Sequence, residues 1–308
     1  MPKPAPMFQE AARKMHMMGG EPYLTHAAGF SEKAREFSEP ASPNAVAFYE
    51  GRYGTLAHLA SDRCIGRSLE LYGEWGESEI ELLREYVPAA STVLDIGANV
   101  GTHTLAFARM VGDSGKVVAI EAQPEIYQLL CYNIVANGFA ECVQSIQMLA
   151  GDKIDVIPYL GVTMPENLGA RNFIPEYTSP PRTGTITLPM ATIDSLPIEN
   201  CSLMKIDVES MEPMVLRGAA ALLQSQRPVV YFEHATGNAE TLRSIHAMLT
   251  GFGYRLYWHL ASPFNPQNYN RHGEDIFSGA KEINVLALHG RHRDDLIEVG
   301  EPFMAPAG

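Results

Sequence analysis

The run Val93-Leu94 ends in an acid at Asp95 and passes directly into the turn Gly97-Ala98-Asn99-Val100-Gly101, followed by helix-compatible sequence. Glycines in such a turn let the backbone bend sharply and approach a ligand closely, and the helix behind offers free amides in its first turn. Twenty residues past Gly101 a second acid, Glu121, closes another apolar run. A carboxylate at that place can accept both hydrogen bonds of a ribose diol. These features describe a site for a nucleotide-type cofactor. A dinucleotide needs a GxGxxG turn whose second glycine makes room for the pyrophosphate. Here that position is Asn99 and the third glycine is displaced, which weighs against a nicotinamide-dependent oxidoreductase. S-adenosylmethionine has no phosphate and carries an ammonium, a carboxylate and a sulfonium; Asp95 and a polar Asn99 suit such a tail better.

A second group of reactive side chains follows two later apolar runs: Asp207 and Glu209 after SLMKI, and Glu233 and His234 after PVVYF. The sulfonium methyl is already activated, so transfer mainly requires alignment of acceptor, methyl and sulfur. A hydroxyl acceptor also loses a proton, and a base assists. The Asp207/Glu209 pair is the first choice for that base and Glu233/His234 the second. Each has a structural alternative. Asp207 can hold the cofactor ammonium or a turn, Glu209 can cap a helix starting at Ser210, and His234 can be a core histidine. Lys205 reads as the partner of a neighbouring carboxylate, His103 as a helix-start contact and His259 as strand-end packing. Clustered carboxylates also make a divalent metal conceivable, but no metal site is assigned.

The elements that must position these groups alternate. TVLDI, KVVAIE, CVQSIQM, SLMKIDV, PVVYFEH, YRLYWH and INVLAL read as strands, with helices between them, which predicts an α/β domain with a parallel sheet covered on both faces. Pro124 sits where a first helical residue would, and Asn137-Gly138 makes a left-handed end to that helix. One helix is expected from Ser210 to Gln224. Residues 45–90 read as a β-rich entry segment (AVAFYEG, RYGTLAHL, RSLELYG) and a helix opening near Ser78. Residues 1–44 read as an arm with one short amphipathic stretch using Phe8, Ala12 and Met15. Residues 91–290 form the main domain, 291–308 a tail, and 151–190 an insertion holding at most a hairpin. That insertion and the 265–275 loop are expected over the acceptor, with Phe173, Tyr177, Trp258 and Tyr269 available to stack on it or to pack their own loops.

The ordered blocks resemble the FkbM-type methyltransferases, a branch of the class I S-adenosylmethionine-dependent enzymes. The likeness runs from about Asp62 to Leu288. It covers Ile65–Glu74 (IGRSLELYGE), Asp95–Thr104 (DIGANVGTHT), Ile120–Pro124 (IEAQP) and Asn133-Ile134 with Asn137-Gly138. Lys205–Glu209 (KIDVE), Arg227-Pro228, Phe232-Glu233 and Tyr257–His259 (YWH) complete it. The resemblance implies a doubly wound, Rossmann-like, seven-stranded sheet whose last strand, INVLAL, is antiparallel. It also implies that Asp95, Gly97, Ala98, Asn99, Gly101, Thr102 and His103 hold the methionine part of S-adenosylmethionine. Glu121, Ala122 and Gln123 would meet ribose and adenine, Gly151 and Asp152 would lie beside the adenine, and Tyr72 would border the cofactor. Family members mostly methylate hydroxyls of sugars, glycans or small metabolites, so O-methylation is expected. N-methylation, an oxidoreductase and a non-catalytic binding module remain alternatives. Ser210 replaces the usual Gly after DVE, and His234 the usual Asn after the strand-five glutamate. Both border the acceptor site.

Bulk composition narrows the partners. Thirty-six acidic against 23 basic residues give a net charge of −13, and without a basic run a nucleic-acid substrate is disfavoured. Four scattered cysteines form neither a zinc nor a disulfide pattern and fit a reducing cytoplasm. No apolar run has the length of a membrane span. A homo-oligomer is open.

Overall fold

The computed structural model describes residues 45–159, 161, 167–178, 186–234 and 239–300; the expected arm over 1–44 lies outside these. An antiparallel hairpin, β1 (Val46–Gly51) and β2 (Gly54–Leu59), leads into helices α1 (Ile65–Tyr72) and α2 (Glu77–Leu83). Then follow β3 (Thr92–Ile96), α3 (Thr102–Val111), β4 (Lys116–Glu121), α4 (Pro124–Ala136) and β5 (Val143–Gln147). Next are β6 (Leu149–Ala150), β7 (Asp155–Tyr159), α5 (Ile174–Tyr177), β8 (Ile186–Ala191) and β9 (Cys201–Ile206). The chain continues through α6 (Glu212–Arg217), α7 (Ala220–Ser225), β10 (Val229–Glu233), α8 (Ala239–Gly251), β11 (Tyr254–Ala261), β12 (Glu282–His289) and β13 (Ile297–Glu298).

The central sheet has the order β13-β11-β12-β10-β9-β3-β4-β5. The seven expected strands are there, and β12, which carries INVLAL, runs antiparallel between β10 and β11. The sequence reading lacked the two-residue β13, which adds an eighth strand at the β11 edge within the presumed tail. Helices cover both faces. Leu94, Ile96, Met204, Ile206, Val230 and Phe232 pack under α6, α7 and α8. Val93, Leu203, Tyr231, Tyr257 and Leu286 pack under α2, α3 and α4. This three-layer, Rossmann-like arrangement opens a crevice at the carboxyl ends of β3, β9 and β10.

Three local expectations are corrected. RSLELYG is not a strand but most of α1. Ile65, Leu69 and Tyr72 are buried at helical spacing, and Asp62 Oδ1 accepts the amides of Cys64 and Gly66 at 2.9 and 3.0 Å, satisfying donors at the helix start. The helix expected over Ser210–Gln224 begins at Glu212 and breaks into α6 and α7. A Cβ at Gly218 would sit 2.0 Å from the Gly151 carbonyl oxygen, so the backbone there is held against the insertion. The 151–190 stretch holds more than a hairpin. Besides β7 and β8 it carries α5; β6, just before it, pairs parallel with β8, and Ile157, Tyr159, Phe173, Leu188 and Met190 share a core with the flanking Leu149 and Met211.

Two asparagines of the family-like blocks have a structural task. Asn133 accepts the Ala57 amide at 2.7 Å and donates to the Ala57 carbonyl at 3.0 Å; Asn137 does the same for Thr55 at 3.0 and 2.8 Å. From α4, one turn apart, they pair with β2 as a neighbouring strand would, which fastens the entry hairpin to the main domain.

Candidate active site

The turn after β3 is shaped from three directions. Gly97 has φ +78°, and a Cβ there would lie 1.7 Å from the Asp207 carbonyl oxygen; only glycine lets this turn pack on the end of β9. The amides of Gly97 and Ala98 both donate to the Ile120 carbonyl at 2.9 Å. Asn99 is left-handed, with φ +50°, and its amide donates to Glu121 Oε2 at 3.0 Å. The other Glu121 oxygen accepts the Gln123 amide at 2.8 Å. Gly101, φ +96°, precedes the first residue of α3, Thr102.

Glu121 is thus a buried carboxylate that ties the turn to the end of β4. Burial pushes its carboxyl up to about 7, against the pull of the Gln123, Asn99 and Ala122 amides. Its two oxygens offer about four acceptor positions in all, so at least one remains after the three amides. The remaining capacity suits a ribose hydroxyl. Asp95 is more deeply set. It is fully buried, Thr104 Oγ1 donates to Oδ2 at 2.6 Å, and Lys205 Nζ stands 3.9 Å from Oδ1. Its carboxylate ties β3 to α3 from beneath the turn.

Of the residues expected near the adenine, half-buried Ala122 and buried Gln123 stand at the start of α4. Gly151 donates its amide to the Ala191 carbonyl at 3.0 Å. The Asp152 carboxylate receives Arg217 at 2.8 Å and the Tyr177 hydroxyl at 3.0 Å, and these bonds hold it ionised against its partial burial. Tyr72 is fully buried; its hydroxyl donates to the Glu274 carbonyl and accepts the Ile276 amide, both at 2.9 Å. It fastens the 264–277 loop to α1. Of the aromatics named from sequence, Phe173 is buried in the insertion core, Tyr177 is spent on Asp152, Trp258 packs beside the His234 ring, and Tyr269 is exposed.

The four base candidates converge on the end of β9 and β10. Carboxylate oxygens of Asp207, Glu209 and Glu233 lie within 4.8 Å of one another, close enough to share a cation. Lys205 Nζ already donates to Asp207 at 3.0 Å. Glu209 and Ser210 are successive left-handed residues, φ +50° and +77°, which aim the chain back over the crevice before α6. Burial, then the charges of Glu209 and Asp207, push the Glu233 carboxyl well above its ordinary range. Burial alone takes His234 down to about 4, so its imidazole is neutral at neutral pH.

Strand register carries polar groups beyond those chosen from sequence. Asp95 pairs with Lys205 and Lys205 with Tyr231; Glu233 pairs with Asn284 and Asn284 with His259. With a two-residue repeat, all of them, and Asp207, face α2 and α3. The Tyr231 hydroxyl lies 2.8 Å from His259 Nδ1. Glu79 of α2 meets Asn284 Nδ2 at 2.8 Å and His103 Nε2 at 2.8 Å. Glu79, Asn284 and Tyr231 were missed, although signals existed: an acid on the inward side of an amphipathic helix, and an amide inside the apolar run INVLAL.

Comparison with known proteins followed the same lines. Residues 95–256 match the model of the methyltransferase FkbM domain. Comparison with curated proteins gave no match. Among solved structures, the chain is similar to a methyltransferase FkbM from Methylobacillus flagellatus KT, at 14% identity and a TM-score of 0.47, over 87% of this chain and 60% of that one. An O-methyltransferase from Bacillus cereus in complex with SAH aligns at 14% identity and 0.43, over 70% and 80% of the chains. The O-methyltransferase TomG from Streptomyces achromogenes, in complex with SAM, aligns at 17% and 0.40, over 70% and 78%. The family match takes in just over half of the 308 residues and spans the turn, Glu121 and the carboxylate group: the chain belongs to the FkbM family of S-adenosylmethionine-dependent methyltransferases.

Proposed function

We propose that this chain methylates a hydroxyl oxygen of a sugar, glycan or small metabolite. The observation that carries the reading is the Gly97–Asp207 contact, which sets the donor turn directly against the Asp207/Glu209/Glu233 carboxylates. The bound S-adenosylmethionine supplies an electrophilic methyl. Thr102, His103 and the turn Gly97–Gly101 hold its methionine end, Glu121 the ribose, and Ala122, Gln123, Gly151 and Asp152 the adenine side. On the acceptor side, burial raises the Glu233 carboxyl and lowers the His234 imidazole to about 4, which disfavours both as the base; a carboxylate of Asp207 or Glu209 takes the hydroxyl proton. Lys205 Nζ sets a compensating positive charge 3.0 Å from Asp207.

Two results are expected. With methyl-labelled donor and a panel of sugar and small-molecule hydroxyls, label should appear on oxygen, and label on nitrogen would contradict the reading. Asp207→Asn or Glu209→Gln should lower kcat by about 10²–10⁴ while leaving affinity for S-adenosylhomocysteine within about threefold, because neither side chain holds the donor.

The raised Glu121 carboxyl sets a pH dependence. Its proton stabilises the folded apo-protein at low pH, and this contribution is lost as pH rises through about 7. Binding runs the other way, because the diol needs an ionised acceptor. Affinity for S-adenosylhomocysteine should climb by up to about tenfold per unit below 7 and level off above it. Calorimetry from pH 5.5 to 8.5 should show the slope in the wild type and a flat, weak profile in Glu121→Gln.

A further inference from the structure

Glu79 is nearly fully buried, as are the two side chains it touches: it is 6% exposed, His103 4% and Asn284 2%. Oε1 accepts a hydrogen bond from Asn284 Nδ2 at 2.8 Å, and Oε2 stands in ion-pair contact with His103 Nε2, also at 2.8 Å. Burial works against the charge, but the His103 contact, with Lys205 and His259 beyond, holds the carboxyl below its ordinary range. The loop before α2 gives way to the histidine ring. Gly76 has φ +70°, and a Cβ there would lie 2.5 Å from His103 Cε1. Phe107 packs beside the ring, with centroids 5.9 Å apart. Apolar side chains of the same volume would join α2 to the sheet at least as stably as a buried carboxylate, so packing alone does not account for this acid.

His103 is the second residue of α3. The first amides of a helix have no partner four residues back, and they favour an arriving carboxylate. We propose that Glu79 is a positioning residue for the donor: by gripping the His103 side chain from α2 and β12, it fixes the orientation of the first turn of α3. This rests on the reading above that the turn receives the methionine end of the donor. Glu79 itself touches neither donor nor acceptor; it acts through His103.

Calorimetric titration of the full chain with S-adenosylhomocysteine tests this. Glu79→Gln keeps the size and the Asn284 contact but removes the charge, and should weaken binding about tenfold. Glu79→Asp, which keeps the charge, should recover most of the loss. His103→Gln should cost about the same, and the double variant Glu79→Gln/His103→Gln still about tenfold rather than about a hundredfold, because both remove one contact. Glu77→Gln on the same helix, whose carboxylate accepts from the Tyr53 hydroxyl, should change nothing. If Glu79→Gln does not fold, His103→Gln and Asn284→Ala report on the same contact from its other ends. Wild-type affinity in Glu79→Gln, or additive losses in the double variant, would overturn the inference while leaving the donor reading intact. A wild-type protein that binds no S-adenosylhomocysteine would overturn both.

Discussion

Gly97→Ala should abolish measurable binding of S-adenosylhomocysteine and destabilise the fold by at least about 3 kcal/mol, because two penalties coincide. The residue has φ +78°, and its new methyl would lie 1.7 Å from the Asp207 carbonyl oxygen. That atom is backbone, held by the Asp207 amide bond to the Ile96 carbonyl at 2.9 Å, so the clash is relieved only by parting the turn from β9. The parting moves the donor cradle and the carboxylates away from each other. Gly138→Ala is the matched control: φ is +77° and nothing lies within 4 Å of the added methyl. It should cost only the left-handed strain of about 1–2 kcal/mol and leave binding unchanged. Thermal melts and calorimetry on the two variants separate contact from conformation.

Lys205→Met should be the most damaging change of a single charge. The ammonium is 3% exposed, 3.0 Å from Asp207 and 3.9 Å from the fully buried Asp95. Burial disfavours its charge, yet Asp207, Asp95 and Glu79 hold its pKa above the ordinary value. A raised lysine contributes its stabilisation fully at every pH below about 10 and loses it only above. Removing it leaves the fully buried Asp95 and the partly exposed Asp207 uncompensated, an expected loss of about 3–5 kcal/mol. Urea titrations of the wild type and Lys205→Met at pH 8 check the magnitude, and a loss under about 1 kcal/mol, the level of an exposed pair, would contradict this assignment of the charge.

The sequence was most legible where one residue type has one physical task. Gly97 and Gly101 at positive φ, Glu121 at the end of β4, Pro124 at the first position of α4 and left-handed Gly138 after it stand where their chemistry requires. Tertiary context decided the rest. RSLELYG alternates well enough for a strand, but its inward residues also match a helix, and Asp62 settled the choice through two amides. The break at Gly218 depends on Gly151, 67 positions earlier, and no local pattern records that approach. Within the site, Glu79 and Asn284 come together across 205 residues. Each looks ordinary alone: a charge on a surface helix and an amide in a strand. Asp95 is the converse case, an acid in the right place for a ligand that the fold buries completely to anchor α3.

The turn after β3 and Glu121 together make the proposed site for S-adenosylmethionine. Titrating the intact protein with S-adenosylhomocysteine at pH 8, with NAD in a parallel cell, tests it most directly. The expected result is one saturable site for S-adenosylhomocysteine, lost in Glu121→Ala, and no heat from NAD. Saturable binding of NAD with none of S-adenosylhomocysteine at millimolar concentration would contradict it.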